Sequence, residues 1–309
     1  MKAIAEAPSK AIITGEHFVV HGAWALAVAL PRKVRVEVRQ SSTFEVKSDR
    51  FDSAGSPQLR PIARVVESMA REFSAKPTVD VSVTSTIPEG AGLGSSASTM
   101  VAVASAFSKL NSLGLGVDEI IRCSMVGEQD IHGKPSGIDP TICARGGALL
   151  FRPGSEPKVV SLGRPLSLII SYSGRNRSTK GQIGRVARTK AKFPGLFSML
   201  ADSVSELSLT AAERLRIGDV KGLGRLLTIN HAVLGSLGVS NQTLDRMVDL
   251  LATRGCYGAK LTGAGGGGSV VAVAPEAKEK SIVSGLSALG FETFIARVPV
   301  GGVKYWLER

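Results

Sequence analysis

The stretch Pro88–Thr99 contains residue types that could bind phosphate. Glycines at positions 90, 92 and 94 would allow positive φ angles and remove the side chains that keep a ligand away from the backbone. Ser95 and Ser96 add hydroxyls where the following helix would present unpaired N–H groups to an anion. The spacing fits neither a P-loop nor the dinucleotide motif Gly-x-Gly-x-x-Gly. We therefore expect a different phosphate loop, with a glycine-rich connection capped by Ser95 as the alternative.

A second polar segment, Gly127–Pro140, lies between two apolar ones and carries two carboxylates. Glu128 follows Ser124 by four residues on a helix predicted at about 117–131, so both side chains lie on one side of that helix. Asp139 could accept a proton from a substrate alcohol. Because Pro140 follows it, Asp139 could equally cap a helix that begins at that proline. The residues alone leave both readings open.

Two further segments could place reactive groups at a cleft. Lys10–Gly22 begins as a short apolar strand and carries Glu16 and His17 just past a glycine. The alternative there is a surface lysine and a structural histidine. Residues 263–268 form a second glycine-rich loop between two apolar strands, where a backbone or a ligand could approach closely. A flexible hairpin is the alternative for that loop.

The elements that must position these residues follow an α+β pattern. The strand Val79–Thr84 leads through the first glycine loop into a helix over Met100–Leu110. A helical region at about 184–254 is predicted to break at Gly218, Gly222 and Gly238. The other predicted elements are strand-like sequence over Trp24–Val38 with a break at Pro31, a strand between Ser41 and Pro61, the helices Ile62–Phe73 and Pro275–Leu289, and the strands Gly146–Phe151, Leu166–Tyr172 and Glu292–Val298.

Length and composition limit the class of protein. The 309 residues suggest two domains, 1–165 and 166–309, with the boundary in the Gly-, Pro- and Ser-rich segment Pro153–Pro165. The three cysteines are scattered and odd in number, so they form neither a disulfide framework nor a metal-binding spacing, and a reducing cytoplasm is expected. The N-terminus lacks the pattern of an export signal, and no membrane-spanning segment is predicted.

The formal net charge of +12 is compatible with nucleic-acid binding or with a small anionic ligand. The basic residues are dispersed and few aromatic residues lie among them to stack bases, which favours the small ligand and argues against nucleic acid. The densest basic cluster consists of Arg175, Arg177, Lys180, Arg185, Arg188, Lys190 and Lys192. This cluster could serve a phosphorylated ligand.

Three separated segments, Lys10–Gly22, Pro88–Thr99 and Lys260–Ser269, together resemble the motifs of one kinase family. That family is named for galactokinase, homoserine kinase, mevalonate kinase and phosphomevalonate kinase, and is abbreviated GHMP. Gly127–Pro140 and the run from Asn230-His231 to Leu237-Gly238-Val239-Ser240 add to the similarity. The resemblance spans nearly the whole chain. Within the family it is closest to the members that act on mevalonate.

The resemblance implies a two-domain α+β GHMP kinase fold. Its N-terminal domain would be like part of a ribosomal protein, its C-terminal domain would be ferredoxin-like, and ATP would bind in the cleft between them. Lys10 and Asp139 would flank the reacting hydroxyl, and Ser96 and Glu128 would hold Mg²⁺. The residues implied to contact the ATP phosphates are Pro88, Gly90, Ala91, Gly92, Leu93, Gly94, Ser95 and Ser96. Those implied to bind the substrate mevalonate are Glu16, His17, Thr179, Gly263, Ala264 and Gly265.

These roles agree with what phosphoryl transfer needs. The reaction depends on alignment and on charge neutralisation, which amide donors and a hard cation supply. Magnesium prefers few protein oxygens and keeps water, which one hydroxyl and one carboxylate satisfy. Two residues depart from the family pattern, namely Trp24, where proline is usual, and Glu89 at the entrance of the phosphate loop.

The leading expectation is therefore ATP-dependent phosphorylation of the 5-hydroxyl of mevalonate in isoprenoid synthesis. Phosphomevalonate kinase is the nearest alternative, followed by another GHMP small-molecule kinase, because the basic cluster could hold a second phosphate. A mevalonate-diphosphate decarboxylase is disfavoured by Lys10 together with the Glu16-His17 pair. A nucleotide-binding sensor without turnover is disfavoured by the intact candidate site. The oligomeric state stays open, with a homodimer as one alternative.

Overall fold

The computed structural model describes residues 1–50, 59–175 and 179–308. Its strands are β1 (Lys2–Thr14), β2 (Ala25–Gln40), β3 (Glu45–Ser48), β4 (Val79–Ser85), β5 (Ala148–Phe151), β6 (Lys158–Val159), β7 (Leu166–Tyr172), β8 (Gly258–Thr262), β9 (Ser269–Val273), β10 (Glu292–Val298) and β11 (Lys304–Glu308). Its helices are α1 (Arg60–Glu72), α2 (Ser95–Leu110), α3 (Val117–His132), α4 (Ile138–Arg145), α5 (Thr179–Lys192), α6 (Pro194–Ile217), α7 (Val220–Ser236), α8 (Gln242–Thr253) and α9 (Glu276–Ser287), with a 3₁₀ turn at Val19–His21.

The first sheet has the strand order β11-β1-β2-β4-β3, and β5 and β6 extend it from β2. All its pairs are antiparallel except β3 with β4. Strand β11, which the sequence did not predict, pairs with β1 in the register Ala3 to Leu307. The end of the chain thus returns to the sheet that its beginning forms. The division of the chain at residue 165 stays a prediction.

Strand β2 continues through Pro31, so the predicted break there is wrong. Its pairing with β1 shifts from Lys33 opposite Pro8 to Leu30 opposite Ser9, and this leaves Pro31 and Arg32 in a bulge. Proline has no N–H to donate, and a bulge is a position in a strand where none is required. The bulge therefore lets one long strand contain a residue that usually ends one.

The second sheet is antiparallel with the order β10-β7-β9-β8. The predicted strands Leu166–Tyr172 and Glu292–Val298 are confirmed. Gly218 ends α6 and Gly238 follows α7, as predicted, but Gly222 lies inside the first turn of α7. The break predicted at Gly222 is wrong because the Asp219 side chain caps α7 there, accepting a hydrogen bond from the Gly222 N–H at 2.8 Å.

Helix α2 connects the core to the first glycine loop. It packs against β1, β2 and α3, and is buried on nearly all sides because its alanine, serine and valine residues permit close approach. The helix begins at Ser95, five residues before its predicted start at Met100. A buried helix holds its first turn rigidly in place, and that turn adjoins the loop. In the described part of the chain, no helix is long and apolar enough to cross a membrane.

Candidate active site

The first glycine loop enters α2 directly. Gly90, Gly92 and Gly94 have φ angles of +67°, +77° and +78°, which side chains of L-residues rarely permit. Gly94 is the N-cap of α2 and no side chain caps the helix, so the alternative in which Ser95 is the cap is wrong. The first N–H groups of an α-helix lack intrahelical acceptors. The loop and the helix start therefore form a place where phosphate oxygens could bind.

Lys10 passes beneath this loop. Its backbone N–H donates to the Leu93 carbonyl at 2.9 Å, which fastens β1 to the loop. A Cβ at Gly94 would lie 2.7 Å from the Lys10 Cγ, so glycine is required where the lysine stem passes. The Lys10 side chain is 3% exposed, and its Nζ lies 2.9 Å from Asp139 Oδ2. The sequence prediction that Lys10 and Asp139 flank one position is consistent with this pair.

Asp139 is not a helix cap. Helix α4 begins at Ile138, with Gly137 at φ +90° as its N-cap and no side-chain cap bond. The capping interpretation is wrong because the N-cap is Gly137, two residues before Asp139, so Asp139 and Pro140 lie inside the first turn of the helix. The Asp139 side chain is 30% exposed, yet its Oδ1 is buried and has no hydrogen-bond partner among the described residues. That oxygen is available to accept a proton.

Ser96 and Glu128 meet at the start of α2. The Ser96 hydroxyl donates a hydrogen bond to Glu128 Oε1, and Glu128 is 2% exposed. Burial raises the pKa of Glu128 to about 7, against the opposing effect of the Ser96 hydrogen bond. No cluster of three or more His, Cys, Asp or Glu that could hold an ion occurs in the described ranges. A site of one hydroxyl and one buried carboxylate, completed by phosphate oxygens and water, fits Mg²⁺.

The Glu16-His17 pair lies where β1 ends. Glu16 is buried, and Lys260 on β8 donates a hydrogen bond to its Oε1. Burial raises the pKa of the Glu16 carboxyl and lowers the pKa of the Lys260 ammonium group. His17 is half-buried, adopts φ +63°, and its Nε2 lies 3.0 Å from the Ala264 carbonyl. His17 thus reaches the second glycine loop, while Glu16 faces the interior and its predicted contact with substrate stays a prediction.

The second glycine loop lies against the first. A Cβ at Gly268 would be 3.0 Å from the Ala91 carbonyl oxygen, so the two loops approach within backbone contact. The Gly266 N–H donates to the Val239 carbonyl at 2.7 Å. Gly263, Ala264 and Gly265 therefore lie between His17 and the contact of Gly268 with Ala91. Because the loop is held on both sides, it is not the flexible hairpin that was the alternative.

Thr179 is the first residue of α5. Arg177, a member of the basic cluster, lies outside the described residues. The predicted contact of Thr179 with mevalonate stays a prediction. The basic cluster is described in part, and Arg185 in it donates to the Gly238 carbonyl at 2.8 Å.

Known proteins match both halves of the chain. The model for the GHMP kinases N terminal domain matches residues 60–147, and the model for the GHMP kinases C terminal region matches residues 209–291. A mevalonate kinase of Pyrococcus abyssi is 33% identical, covering 97% of each chain. The chain belongs to the GHMP kinase family.

Two further proteins extend the comparison for this GHMP kinase. A mevalonate kinase of Aeropyrum pernix is 34% identical over 97% of both chains. The crystal structure of L. major mevalonate kinase in complex with R-mevalonate has a TM-score of 0.83 at 30% identity, covering 96% of each chain. The predicted family and two-domain GHMP fold are confirmed, and membership of the family implies ATP as a substrate.

One residue of this GHMP kinase site received no role from the sequence. Lys260 was quoted only as the start of the third motif, although a lysine between apolar residues of a predicted strand is a recognisable signal. Neither of the two residues that depart from the family pattern, Glu89 and Trp24, is fully buried. Glu89 is exposed, and Trp24 is half-buried with Lys158 Nζ 5.1 Å from its ring centroid.

Proposed function

We propose that this GHMP kinase transfers the γ-phosphoryl group of ATP to the 5-hydroxyl of mevalonate, giving 5-phosphomevalonate for isoprenoid biosynthesis. The observation that carries the proposal is the Lys10–Asp139 pair beside the first glycine loop, in a chain whose full-length relatives are mevalonate kinases. A carboxylate with an unpartnered oxygen, next to a cation and a phosphate loop, provides what transfer to an alcohol requires.

In the proposed reaction, Asp139 Oδ1 accepts the proton of the 5-hydroxyl while the hydroxyl oxygen forms a bond to the γ-phosphorus. The bond between that phosphorus and the β,γ-bridging oxygen breaks, and ADP leaves with the electron pair. Lys10, 2.9 Å from the other carboxylate oxygen, stabilises negative charge on the attacking and transferred oxygens. The N–H groups of the first glycine loop and of the start of α2 hold the phosphates in line.

Ser96 and Glu128 would hold Mg²⁺ in this proposal. Their side chains already touch, and Glu128 is buried without a lysine or arginine salt-bridge partner among the described residues, so a cation would replace the hydrogen bond and offset the cost of burying the charge. When bound, the cation would supply positive charge that offsets the charge of the ATP phosphates. This chain supplies two ligands, and the phosphates and water supply the rest.

Mevalonate would lie between His17, Thr179 and the backbone of Gly263, Ala264 and Gly265. Mevalonate carries a carboxylate and two hydroxyls, which call for N–H donors rather than a second phosphate clamp. His17 lies beside the second loop, with its Nε2 paired to the Ala264 carbonyl, and the loop would supply the backbone N–H groups. Glu16 is 2% exposed and would support His17 from behind, and its own contact with mevalonate stays a prediction.

Phosphomevalonate kinase is the second candidate, favoured by the exposed basic side chains of α5. Arg185 and Arg188 are both exposed on that helix, whose Gln182 lies against the second loop. Arg185 is already bonded to the Gly238 carbonyl, which leaves it fewer donors for a ligand phosphate. We therefore place mevalonate first.

The test is a comparison of kcat/KM for four alcohols with ATP and Mg²⁺, using coupled ADP release and product analysis. Mevalonate is expected to exceed phosphomevalonate, homoserine and galactose by on the order of a hundredfold or more, because a site lacking a second phosphate clamp cannot compensate for desolvating an added phosphate. Preferred formation of diphosphomevalonate from phosphomevalonate would assign the second candidate instead.

A further inference from the structure

A buried ion pair connects the two sheets of the molecule. Lys260, on β8 of the second sheet, is 0% exposed, and Glu16, at the end of β1 of the first sheet, is 2% exposed. Among the ion pairs of the described residues, it is the one in which both side chains are buried. The proposed phosphoryl transfer does not use Lys260, so the pair needs its own explanation.

Further hydrogen bonds fasten the same stretch of β1 to the second sheet. Lys260 Nζ also donates to the Ile12 carbonyl at 3.4 Å, and Thr262 Oγ1 lies 3.1 Å from the Ile12 nitrogen and 3.0 Å from its oxygen. Asn230 Oδ1 accepts from the Gly15 N–H at 3.4 Å. Thr262 and Asn230 therefore fasten Ile12 and Gly15, whereas Lys260 holds Glu16, the residue immediately before His17.

The energetics of the pair favour a geometric role over a stabilising one. Removing two charges from water costs several kcal/mol per ion, and an apolar pair of similar volume often stabilises a fold equally well. Burial raises the pKa of Glu16 and lowers that of Lys260, while their mutual attraction opposes both shifts. An apolar contact would leave the direction of the Glu16 side chain free, whereas the hydrogen bond from Lys260 Nζ to Glu16 Oε1 does not. The same Nζ is itself held in place by hydrogen bonds to the Ile12 and Leu261 carbonyls.

What the pair fixes is the position of His17. This residue adopts φ +63°, an unfavourable conformation for a residue with a side chain, so surrounding contacts must hold it. Its ring reaches the Ala264 carbonyl on the loop that follows β8 at a distance of 3.0 Å. Lys260 lies on β8, three positions before Gly263, where that loop begins, and it also holds Glu16, the residue before His17. The Lys260 side chain is thus connected both to the segment that carries His17 and to the strand that leads into the second glycine loop.

We propose that Lys260 is a positioning residue for mevalonate: by holding Glu16, it fixes His17 relative to the second glycine loop. This inference rests on the proposed function, which assigns this part of the site to mevalonate. Because Lys260 is fully buried, it would act through Glu16 and not on the substrate itself. Its loss should therefore disturb mevalonate binding and leave the nucleotide loop, which β1 holds through Lys10 and Leu93, nearly unchanged.

The test uses Lys260→Met, Glu16→Gln and the double variant that carries both. The double variant leaves no unpaired buried charge, so it separates the loss of positioning from the cost of an orphaned ion. Thr262→Val is the matched control, because Thr262 joins the same two strands but does not touch Glu16. KM for mevalonate, KM for ATP and the unfolding midpoint from pH 6 to 9 are measured for each protein.

In the double variant we expect KM for mevalonate to rise about tenfold to a hundredfold, with KM for ATP within about twofold of the wild type. Thr262→Val should lose stability and keep both KM values. In Lys260→Met the Glu16 pKa is raised above its unfolded value, so stability should fall as pH rises. In Glu16→Gln the Lys260 pKa is lowered, so stability should grow as pH rises. Lys10 and His231, the other charged groups that act on the pair, are present in every variant.

Equal changes of both KM values, or wild-type KM for mevalonate in the double variant, would overturn the proposal. A double variant that does not fold would also overturn it, since the pair would then serve the fold. Failure of the wild type to phosphorylate mevalonate would instead refute the proposed function. The unfolding midpoints of the two single variants should change with pH in opposite directions. This measurement does not depend on activity, so it tests the buried pair whether or not the protein phosphorylates mevalonate.

Discussion

Burial acts differently on the two carboxylates of the site. Asp139 is 30% exposed and forms an ion pair with Lys10. Glu128 is 2% exposed, and within the described ranges its carboxylate contacts the Ser96 hydroxyl and, at 3.8 Å, His132 Nε2. Burial without a lysine or arginine partner raises the pKa of Glu128 to about 7. The negative charge of Asp139 is thus compensated by Lys10, whereas that of Glu128 would be compensated by a bound cation. This division suits a proton acceptor beside a metal ligand.

The raised pKa of Glu128 predicts how Mg²⁺ binding depends on pH. A metal ligand must be deprotonated, and the carboxylate fraction of Glu128 increases as pH rises through about 7. The activation constant for Mg²⁺ at saturating ATP should therefore improve by about tenfold between pH 6 and pH 8. In Glu128→Gln, activation should be weak, with only the dependence due to ATP itself remaining. An equal pH dependence in both proteins would remove Glu128 from the metal site.

At the scale of elements, each glycine loop is shaped by what passes next to it. Gly94 lies over the Lys10 stem, and Gly268 faces the Ala91 carbonyl of the other loop. The loops therefore need glycine for close approach as well as for positive φ. Strand β1 and helix α2, both buried, hold the first loop in place, and β8 and β9 hold the second.

The substitution Gly94→Ala tests that reading. Its Cβ would lie 2.7 Å from Lys10 Cγ and its φ is +78°, so both the loop and the lysine must shift. Gly114→Ala is the matched control, because φ there is +67° and nothing lies within 4 Å of the added atom. Both variants should lose about 1 to 2 kcal/mol of stability from backbone strain. Only Gly94→Ala should weaken ATP binding in calorimetric titration, and equal ATP affinities for the two variants would contradict this account.

Local patterns predicted most elements, and the exceptions have physical reasons. The alternating residues in 79–85 and the amphipathic spacing in 117–132 depend on which side of a single element is buried, which a sequence records directly. Residues 166–172 form a nearly continuous apolar run, which is typical of a strand buried on both faces. Pro31 was taken for a break because its bulge exists only opposite Pro8 and Ser9. Strand β11 was missed because most of its residues are exposed, so it lacks an alternating pattern and depends on pairing with β1.

At the scale of the whole molecule, the candidate site is assembled from distant parts of the chain. Lys10, Ser96, Glu128 and Asp139 were grouped through family resemblance, and the structure brings them into two touching pairs. The Lys260–Glu16 contact, between residues 244 positions apart, could not be predicted from spacing, because it depends on how the two sheets pack. A sequence shows which residues have reactive side chains, but it does not show which of them come into contact when two sheets pack together.

Charge is also unevenly distributed over the molecule. Residues 157–201 contain nine Lys and Arg and no Asp or Glu, so this segment carries a formal charge of +9 in a chain whose net charge is +12. Part of this segment is α5, whose Gln182 lies against the second glycine loop. A basic surface beside a cleft raises the local concentration of anionic substrates and is screened by salt. ATP and mevalonate are both anionic, so this surface should assist their binding.

Arg188→Glu should therefore lower kcat/KM for mevalonate by about twofold to tenfold at low ionic strength, with the difference shrinking as salt is added. Lys76→Glu is the control, since it makes the same change of charge at an exposed position beside the start of β4, at the end of the strand remote from the glycine loop. The measurement is kcat/KM at several salt concentrations. Equal effects of the two substitutions would show that the basic segment has no special role.

Asp139 is proposed to accept the proton of the substrate hydroxyl, and the single-turnover rate of Asp139→Asn tests this role. Asparagine keeps the shape of the side chain, and Asp139 caps no helix. The change leaves the buried Lys10 ammonium group without its ion-pair partner, so the unfolding midpoint should fall, and the rate is measured at a temperature where the variant is folded. With ATP, Mg²⁺ and mevalonate saturating, the rate should fall by about a hundredfold to ten-thousandfold, equivalent to about 3 to 5 kcal/mol of barrier, with ATP affinity retained. Asp118→Asn, at a side chain 76% exposed, is the control and should keep the wild-type rate. A folded Asp139→Asn protein with a near-normal rate would contradict the claim.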